Sequence, residues 1–248
     1  MIRVVPTEAA SDQAVRDQAP HARWFMDYRN ADGSLSKMCG NGTRVFAAFL
    51  RREGLESADE FAIATRAGVK HVRVDGDGFA VGLGPWRLGD PATAQRAGFD
   101  ALVHLDDLEP FSALTVDVGN PHTVVALPEA VDLDAVDLAT APAVRPEPAH
   151  GTNVEVVRPL GPGHVAMRVF ERGVGETRSC GTGACAAAIA TSFWAGSLDT
   201  GSTWVVDVPG GRLTVRLLPD QGVELAGPAA LVADGVIDLA QLTRRAQP

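Results

Sequence analysis

Two cysteines carry the first chemical signal. Cys39 opens Cys39-Gly40-Asn41-Gly42 and Cys180 opens Cys180-Gly181-Thr182-Gly183, so each thiol precedes a Gly, a small polar residue and a second Gly. Each turn runs into a stretch that reads as helix, 42–53 with Gly54 as its stop and 183–195 with Gly196 as its stop. A helix N-terminus presents unpaired backbone N–H groups and a partial positive charge. A Cys placed there has its thiolate favoured, with a pKa lowered from about 8.5. The glycines let the backbone approach a ligand closely, and free amides suit an anion such as a carboxylate.

Two such turns facing each other across a cleft would set one thiol on each side of a bound carbon atom. That geometry suits inversion of a stereocentre. One Cys, as thiolate, removes the proton from a carbon beside a carboxylate; the other, as thiol, gives a proton to the opposite face. Charge developing on the carboxylate would be met by both helix N-termini. The third cysteine, Cys185, lies inside the second helical run and reads as a small core residue. A Cys39–Cys180 disulfide reads as an oxidised, inactive form rather than a structural staple.

The elements that must position these turns are mostly short strands. Apolar runs at 24–29, 61–65, 69–74, 79–83, 114–118, 123–127, 153–158 and 165–170 read as strands, and 204–208 with 212–218 as a hairpin. Both helical runs carry apolar residues on more than one face: Val45, Phe46, Phe49 and Leu50 in the first, and Ile189, Phe193 and Trp194 among alanines in the second. Such helices belong inside a structure. The expected fold is therefore α+β. It has two pseudo-symmetric halves, each a mostly antiparallel curved sheet or barrel around a central helix. Residues 1–88 with 234–248 make the half carrying Cys39, and 89–233 the half carrying Cys180. The stretch 85–110, with Gly89-Asp90-Pro91 and Asp106-Asp107, reads as a linker or crossover.

At 248 residues, 46% hydrophobic and 21% charged, the composition is that of a soluble globular protein. A net charge of −9 and a pI near 5.1 argue against nucleic acid or an anionic membrane as partner. The uncharged run 179–198 is long enough to span a bilayer, but Ser179, Thr182, Thr191, Ser192 and its glycines make it too polar for that. Three cysteines without a CxxC spacing, and no signal-peptide pattern, read as a cytoplasmic protein. No metal-ligand spacing occurs among the six histidines. A pyridoxal enzyme needs a Schiff-base lysine in a phosphate-binding setting, and neither Lys37 nor Lys70 sits in an evident one. Neither metal nor cofactor is expected.

The motifs resemble those of a known family. Asn30-Ala31-Asp32-Gly33-Ser34 through Met38-Cys39-Gly40-Asn41-Gly42 resembles the first signature of the diaminopimelate epimerases. Gly119-Asn120-Pro121-His122, then Asn153-Val154-Glu155, then Glu171-Arg172-Gly173 through Cys180-Gly181-Thr182-Gly183 look like the rest of that pattern, in order. The Ala- and Arg-rich style, with two lysines, is similar to actinobacterial members. The resemblance implies an isomerase interconverting L,L- and meso-diaminopimelate on the route to lysine and peptidoglycan precursors. It implies a homodimer as well.

By the same resemblance Cys39 and Cys180 are the acid/base thiols. Amides of Gly40, Asn41, Gly181 and Thr182 hold the carboxylate at the reacting carbon. Asn30, Asn120, Asn153 and Arg172, with Glu171, fix the far amino-acid end of the substrate. His122 would tune Cys39, and Glu171 would tune Cys180. Taken alone, Asn30 and Asp32 read as turn residues.

One departure stands out. The family begins with a strand and a His-Gly-x-x-Asn-Asp-Phe motif, whereas Met1-Ile2-Arg3-Val4-Val5 looks like the strand that follows it. The first half is then expected to show an unpaired edge and an exposed flank on its helix. Competing readings are a proline or hydroxyproline racemase-like enzyme, a non-catalytic remnant that only binds, and a thiol redox protein. The racemases carry His where Asn41 stands and Asp-x-Ser-Pro-Cys where this chain has Glu176-Thr177-Arg178-Ser179-Cys180.

Overall fold

Both Cys-Gly-x-Gly turns open helices, because the cysteine side chain itself caps the first turn. The computed structural model describes residues 1–30, 32–105, 109–198 and 201–236. Its helices are α1 (Gln13–Arg16), α2 (Gly40–Arg52), α3 (Pro91–Ala97) and α4 (Gly181–Trp194). The first strands are β1 (Ile2–Pro6), β2 (Trp24–Tyr28), β3 (Glu60–Ala64), β4 (Lys70–Asp75), β5 (Gly78–Pro85) and β6 (Arg87–Leu88). Then come β7 (Ala101–His104), β8 (Phe111–Asp117), β9 (Pro121–Ala126), β10 (Ala143–Arg145), β11 (Asn153–Gly161), β12 (His164–Glu171) and β13 (Gly175–Thr177). After α4 follow β14 (Thr203–Val208), β15 (Gly211–Leu217) and β16 (Gly222–Pro228).

The strands form one hydrogen-bonded sheet, in the order β1-β2-β3-β4-β5-β16-β15-β14-β12-β11-β9-β8-β7-β10, with β13 on β12 and β6 on β8. Neighbours are antiparallel except β2/β3, β9/β11 and β12/β14. The fold is α+β, as the sequence predicts. The hairpin around Pro209-Gly210 forms with Val208 opposite Gly211. The last strand, β16, returns to pair with β5, so the sheet runs without a break from strands near Cys39 to strands near Cys180.

The two helices sit differently. α4 is an alanine-rich helix whose residues 183–192 are all buried, and it packs on β8, β9, β11, β12, β14, β15 and β16. Small side chains let those strands close around it, and its uncharged sequence requires that burial. Adding bulk at Ala187 or Ala188, both fully buried, would overpack the site at a cost of about 1–3 kcal/mol. By contrast, α2 buries Phe46, Ala47 and Leu50 but leaves Val45 39% exposed. β1 is one end of the sheet order. The main core takes Met26, Phe46 and Leu50 from the first part of the chain and Met167, Ile189, Trp204 and Leu225 from the second.

The stretch 85–110, expected to be a linker or crossover, carries regular elements in its described part, while Asp106-Asp107 lie outside the described residues. It holds β6, α3 and β7. Asp90 caps α3 by accepting from the Thr93 amide at 3.0 Å, Pro91 occupies the first turn, and Gly98 ends it at φ +82°. Those are ordinary helix-start and helix-stop residues, hidden here by the shortness of the helix. Val103 and Leu105 then bury into a second core with Leu133, Leu138 and Val156. No described helix is long and apolar enough to cross a membrane.

Candidate active site

The amide of Gly42 donates to Cys39 Sγ at 3.4 Å, and the amide of Gly183 donates to Cys180 Sγ at 3.4 Å. Each sulfur thus fills the N-cap role usually taken by Ser or Asp. The remaining first-turn amides of α2 and α4 have no acceptor within their own helix. The turns meet closely. A Cβ on Gly181 would stand 3.6 Å from the Gly40 Cα, an ordinary contact that shows how near the two helix ends lie, and 2.7 Å from Leu225 Cδ2, which would have to shift.

Both thiols line one cavity of about 630 Å³. Asn30, Gly40, Asn41, Asn120, Glu171, Arg172, Gly181 and Thr182 line it too. Asn30 is also part of a turn, as its sequence suggests: its Nδ2 donates to Ser34 Oγ at 3.0 Å, and Asp32 Oδ1 accepts from the Ser34 amide at 2.9 Å. Asn153 does not line the cavity. It is 8% exposed, and its Oδ1 accepts from the Arg172 amide at 2.9 Å, so it holds the backbone that presents Arg172. The Arg172 guanidinium is steadied by the His150 carbonyl, and Glu171 accepts from the Thr177 hydroxyl.

His122, expected to tune Cys39, has its ring bonded to Glu155 and Asn120. It is 1% exposed on β9, with Nδ1 2.7 Å from Glu155 Oε1 and Nε2 3.0 Å from Asn120 Oδ1. Both ring nitrogens are therefore engaged elsewhere. The cause is topological: β9 and β11 are parallel neighbours with His122 opposite Asn153, which brings His122 and Glu155 together beneath α4.

Cys180 is a buried thiol between two carboxylates. Its position at a helix N-terminus predicts a lowered pKa, but burial, followed by the Glu155 and Glu171 carboxylates, pushes the thiol up to about 12. The hydrogen bonds from Thr182 and the Gly183 amide pull the other way and are outweighed. Cys185 is fully buried in the core, as its position in the helix implies.

Three further residues belong to the site. Tyr28 and Lys70 line the cavity. Burial, and then the neighbouring Cys39 sulfur, raise the Tyr28 phenol above its usual value. Lys70 is 9% exposed, its Nζ donates to the Leu83 carbonyl at 2.9 Å, and burial lowers its pKa. Glu155 is fully buried, with Oε2 lacking any hydrogen-bond partner among the described residues. Lys70 alternates with exposed His71 on β4, a period-two signal that the sequence carries for a residue facing inward.

Solved structures share the fold. A hydroxyproline epimerase from Agrobacterium vitis, with bound trans-4-hydroxy-L-proline, has a TM-score of 0.62 to this chain at 15% identity, covering 92% of this chain and 71% of that one. The fold is thus one on which an amino-acid epimerase is built. A family model described as diaminopimelate epimerase matches residues 8–88 and 114–232. The diaminopimelate epimerase of Streptomyces coelicolor is 46% identical over 243 residues, covering 94% of this chain and 80% of that protein. That of Thermobifida fusca is 44% identical over 248 residues, covering 98% and 84%. The chain belongs to the diaminopimelate epimerase family and is, by that membership, an isomerase.

Proposed function

We propose that this protein interconverts L,L- and meso-diaminopimelate with Cys39 and Cys180 as its two acid/base groups. The observation that carries the reading is the pair of cysteine-capped helix N-termini opening into one cavity. The α-carboxylate sits between the first-turn amides of Gly40, Asn41, Gly181 and Thr182. There the two helix ends favour the charge that builds up as the α-proton leaves. One sulfur takes that proton while the other delivers one to the opposite face. Arg172 pairs with the distal carboxylate, and Asn30, Asn120 and Glu171 receive the distal ammonium. Asn153 acts through Arg172.

The wider reading follows from the family: a place in the supply of lysine and peptidoglycan precursors, and a cytoplasmic homodimer. Three free cysteines suit a reducing compartment. The division into halves 1–88 plus 234–248 and 89–233 is supported by the two helix-centred sets of strands, although 237–248 lie outside the described residues.

The test is deuterium uptake at the α-carbon of L,L-diaminopimelate in D₂O, followed by NMR with freshly reduced protein. Uptake with formation of the meso isomer is expected. Exchange on proline or hydroxyproline instead would give the reaction to the racemase class. Binding with no exchange on any of these would leave a protein that only binds.

A further inference from the structure

The two thiols occupy matching positions, but what stands behind them differs. Gly42 and Gly183 are each the third residue after their cysteine. A Cβ on Gly183 would lie 3.3 Å from Cys180 Sγ and 2.6 Å from Glu155 Oε1. A Cβ on Gly42 would lie 3.7 Å from Cys39 Sγ and 3.0 Å from Ile2 Cδ1. The same place beside the capped sulfur thus holds a carboxylate in one half and an aliphatic methyl in the other.

Among the described residues the hydrogen-bond partner of this carboxyl is His122. Glu155 is wholly buried, its Oε1 is bonded to His122 Nδ1, and its Oε2 finds no partner among the described residues. The other groups around Cys180 are Glu171 from β12, the Thr182 hydroxyl at 3.6 Å, Cys185 one turn further along α4, and the Cys39 turn across the cavity. Arg172 lines the cavity but is held by the His150 carbonyl, and Arg44 faces Cys185 and Cys39. Two carboxylates therefore act on Cys180, whereas Cys39 has Ile2 behind it and the Tyr28 phenol beside it.

We propose that Glu155 is a positioning residue that keeps Cys180 protonated, so that in the resting protein Cys180 is the proton donor and Cys39 the base. An anion beside a thiol disfavours loss of its proton, and burial removes the water that would screen it. The proposal rests on the two-thiol reading above. In the first turnover Cys39 thiolate takes the α-proton, the C–H electron pair stays on carbon, and the Cys180 S–H proton is bonded to the opposite face. This leaves Cys39 as thiol and Cys180 as thiolate beside two carboxylates, a state that drives proton return to Cys180. The resting protein is accordingly poised for the isomer whose α-hydrogen faces Cys39.

The experiment is alkylation by iodoacetamide across a pH series, with each cysteine followed separately by peptide mass spectrometry. Midpoints rather than rates are compared, because Cys180 is more buried than Cys39. In the native protein the Cys180 midpoint is expected to lie well above the ordinary thiol value. In Glu155→Gln the Cys180 midpoint is expected to fall, each unit giving about tenfold more reaction at a fixed pH below it, with the Cys39 midpoint unmoved. A native Cys180 midpoint at or below that of Cys39 overturns the proposal without any variant. So does a Glu155→Gln protein with native circular dichroism and an unmoved Cys180 midpoint. Alkylation requires no turnover, so either result is distinguishable from a failure of α-deuterium uptake.

Discussion

The side-chain amide of Asn41 donates to the carbonyl oxygen of Ser179 at 3.1 Å, and its own oxygen accepts from Arg44 Nη2 at 3.0 Å. The turn after Cys39 is thereby tied to the residue before Cys180, across 138 positions of sequence. The spacing of the thiols is thus set before any substrate arrives. Orientation fixed in advance is what lets two groups act on opposite faces of one carbon. The tie also occupies the Asn41 side chain, so only its backbone N–H is left for a ligand.

Removing that tie should therefore act on turnover more than on binding. Asn41→Ala is expected to lower kcat by about 10- to 100-fold, with a smaller change in KM, because a misplacement of about 1 Å carries that scale of loss. It should also cost about 1–3 kcal/mol of stability by leaving the buried Arg44 donor unpaired. Steady-state kinetics and urea unfolding on the same samples check both parts.

The thiols themselves give the largest effect. Cys39→Ser and Cys180→Ser each replace a thiol by a far weaker acid, and each is expected to lose about 10²- to 10⁴-fold in epimerisation. The raised pKa of Cys180, about 12, adds a pH signature. In the direction that uses Cys180 as donor, kcat should hold through about pH 9, because the group is still protonated there in the substrate complex. An alkaline loss near the ordinary thiol value of about 8.5 would contradict this.

The two turns were legible in the sequence because their chemistry is local: thiol, cap and glycines occupy four consecutive residues. The residues that distinguish the thiols were not. Glu155 lies within a run of alternating apolar residues on β11, and only the parallel pairing of β9 with β11 brings it to His122. The same non-local pairing is what sets His122 against Glu155. β16 was hidden for a related reason, since Gly222, Gly227 and Pro228 disguise a strand whose pairing with β5 lies far away in sequence. Short α3 carried proper caps but too few residues to show a helical period.

Glycine substitutions should reveal the asymmetry of the two turns directly. In Gly183→Ala the new methyl meets Glu155 Oε1 at 2.6 Å, and that carboxylate is walled in and bonded to His122. A loss of about 1–3 kcal/mol is expected. In Gly42→Ala the nearest atom is Ile2 Cδ1 at 3.0 Å, the far end of a side chain that can turn away. A loss below about 1 kcal/mol is expected there. Equal losses in urea unfolding would show that the carboxylate does not constrain the second turn.

Acid stability should trace to Asp27, whose side chain is 2% exposed among three arginines. Arg66 Nη2 is 2.5 Å from Oδ1, Arg29 Nε is 3.6 Å from Oδ2, and Arg3 also bonds Oδ2. Burial by itself would raise this carboxyl, but the hydrogen bonds from Arg66 and Arg3 outweigh it and hold the pKa below the usual aspartate value. A pKa depressed by folding means that the folded protein releases this proton more readily than the unfolded chain does. The stabilisation is therefore complete above about pH 4, the unfolded aspartate value, and is lost as pH falls through the lower folded value. Asp27→Asn should remove that part of the acid dependence. At neutral pH it should cost about 2 kcal/mol, less than the roughly 3–5 for a wholly buried pair, because Arg3 is more than half exposed. Melting temperatures of both proteins from pH 7 to pH 3 test the two statements together: the curves should converge in acid, and parallel curves would remove Asp27 from the account.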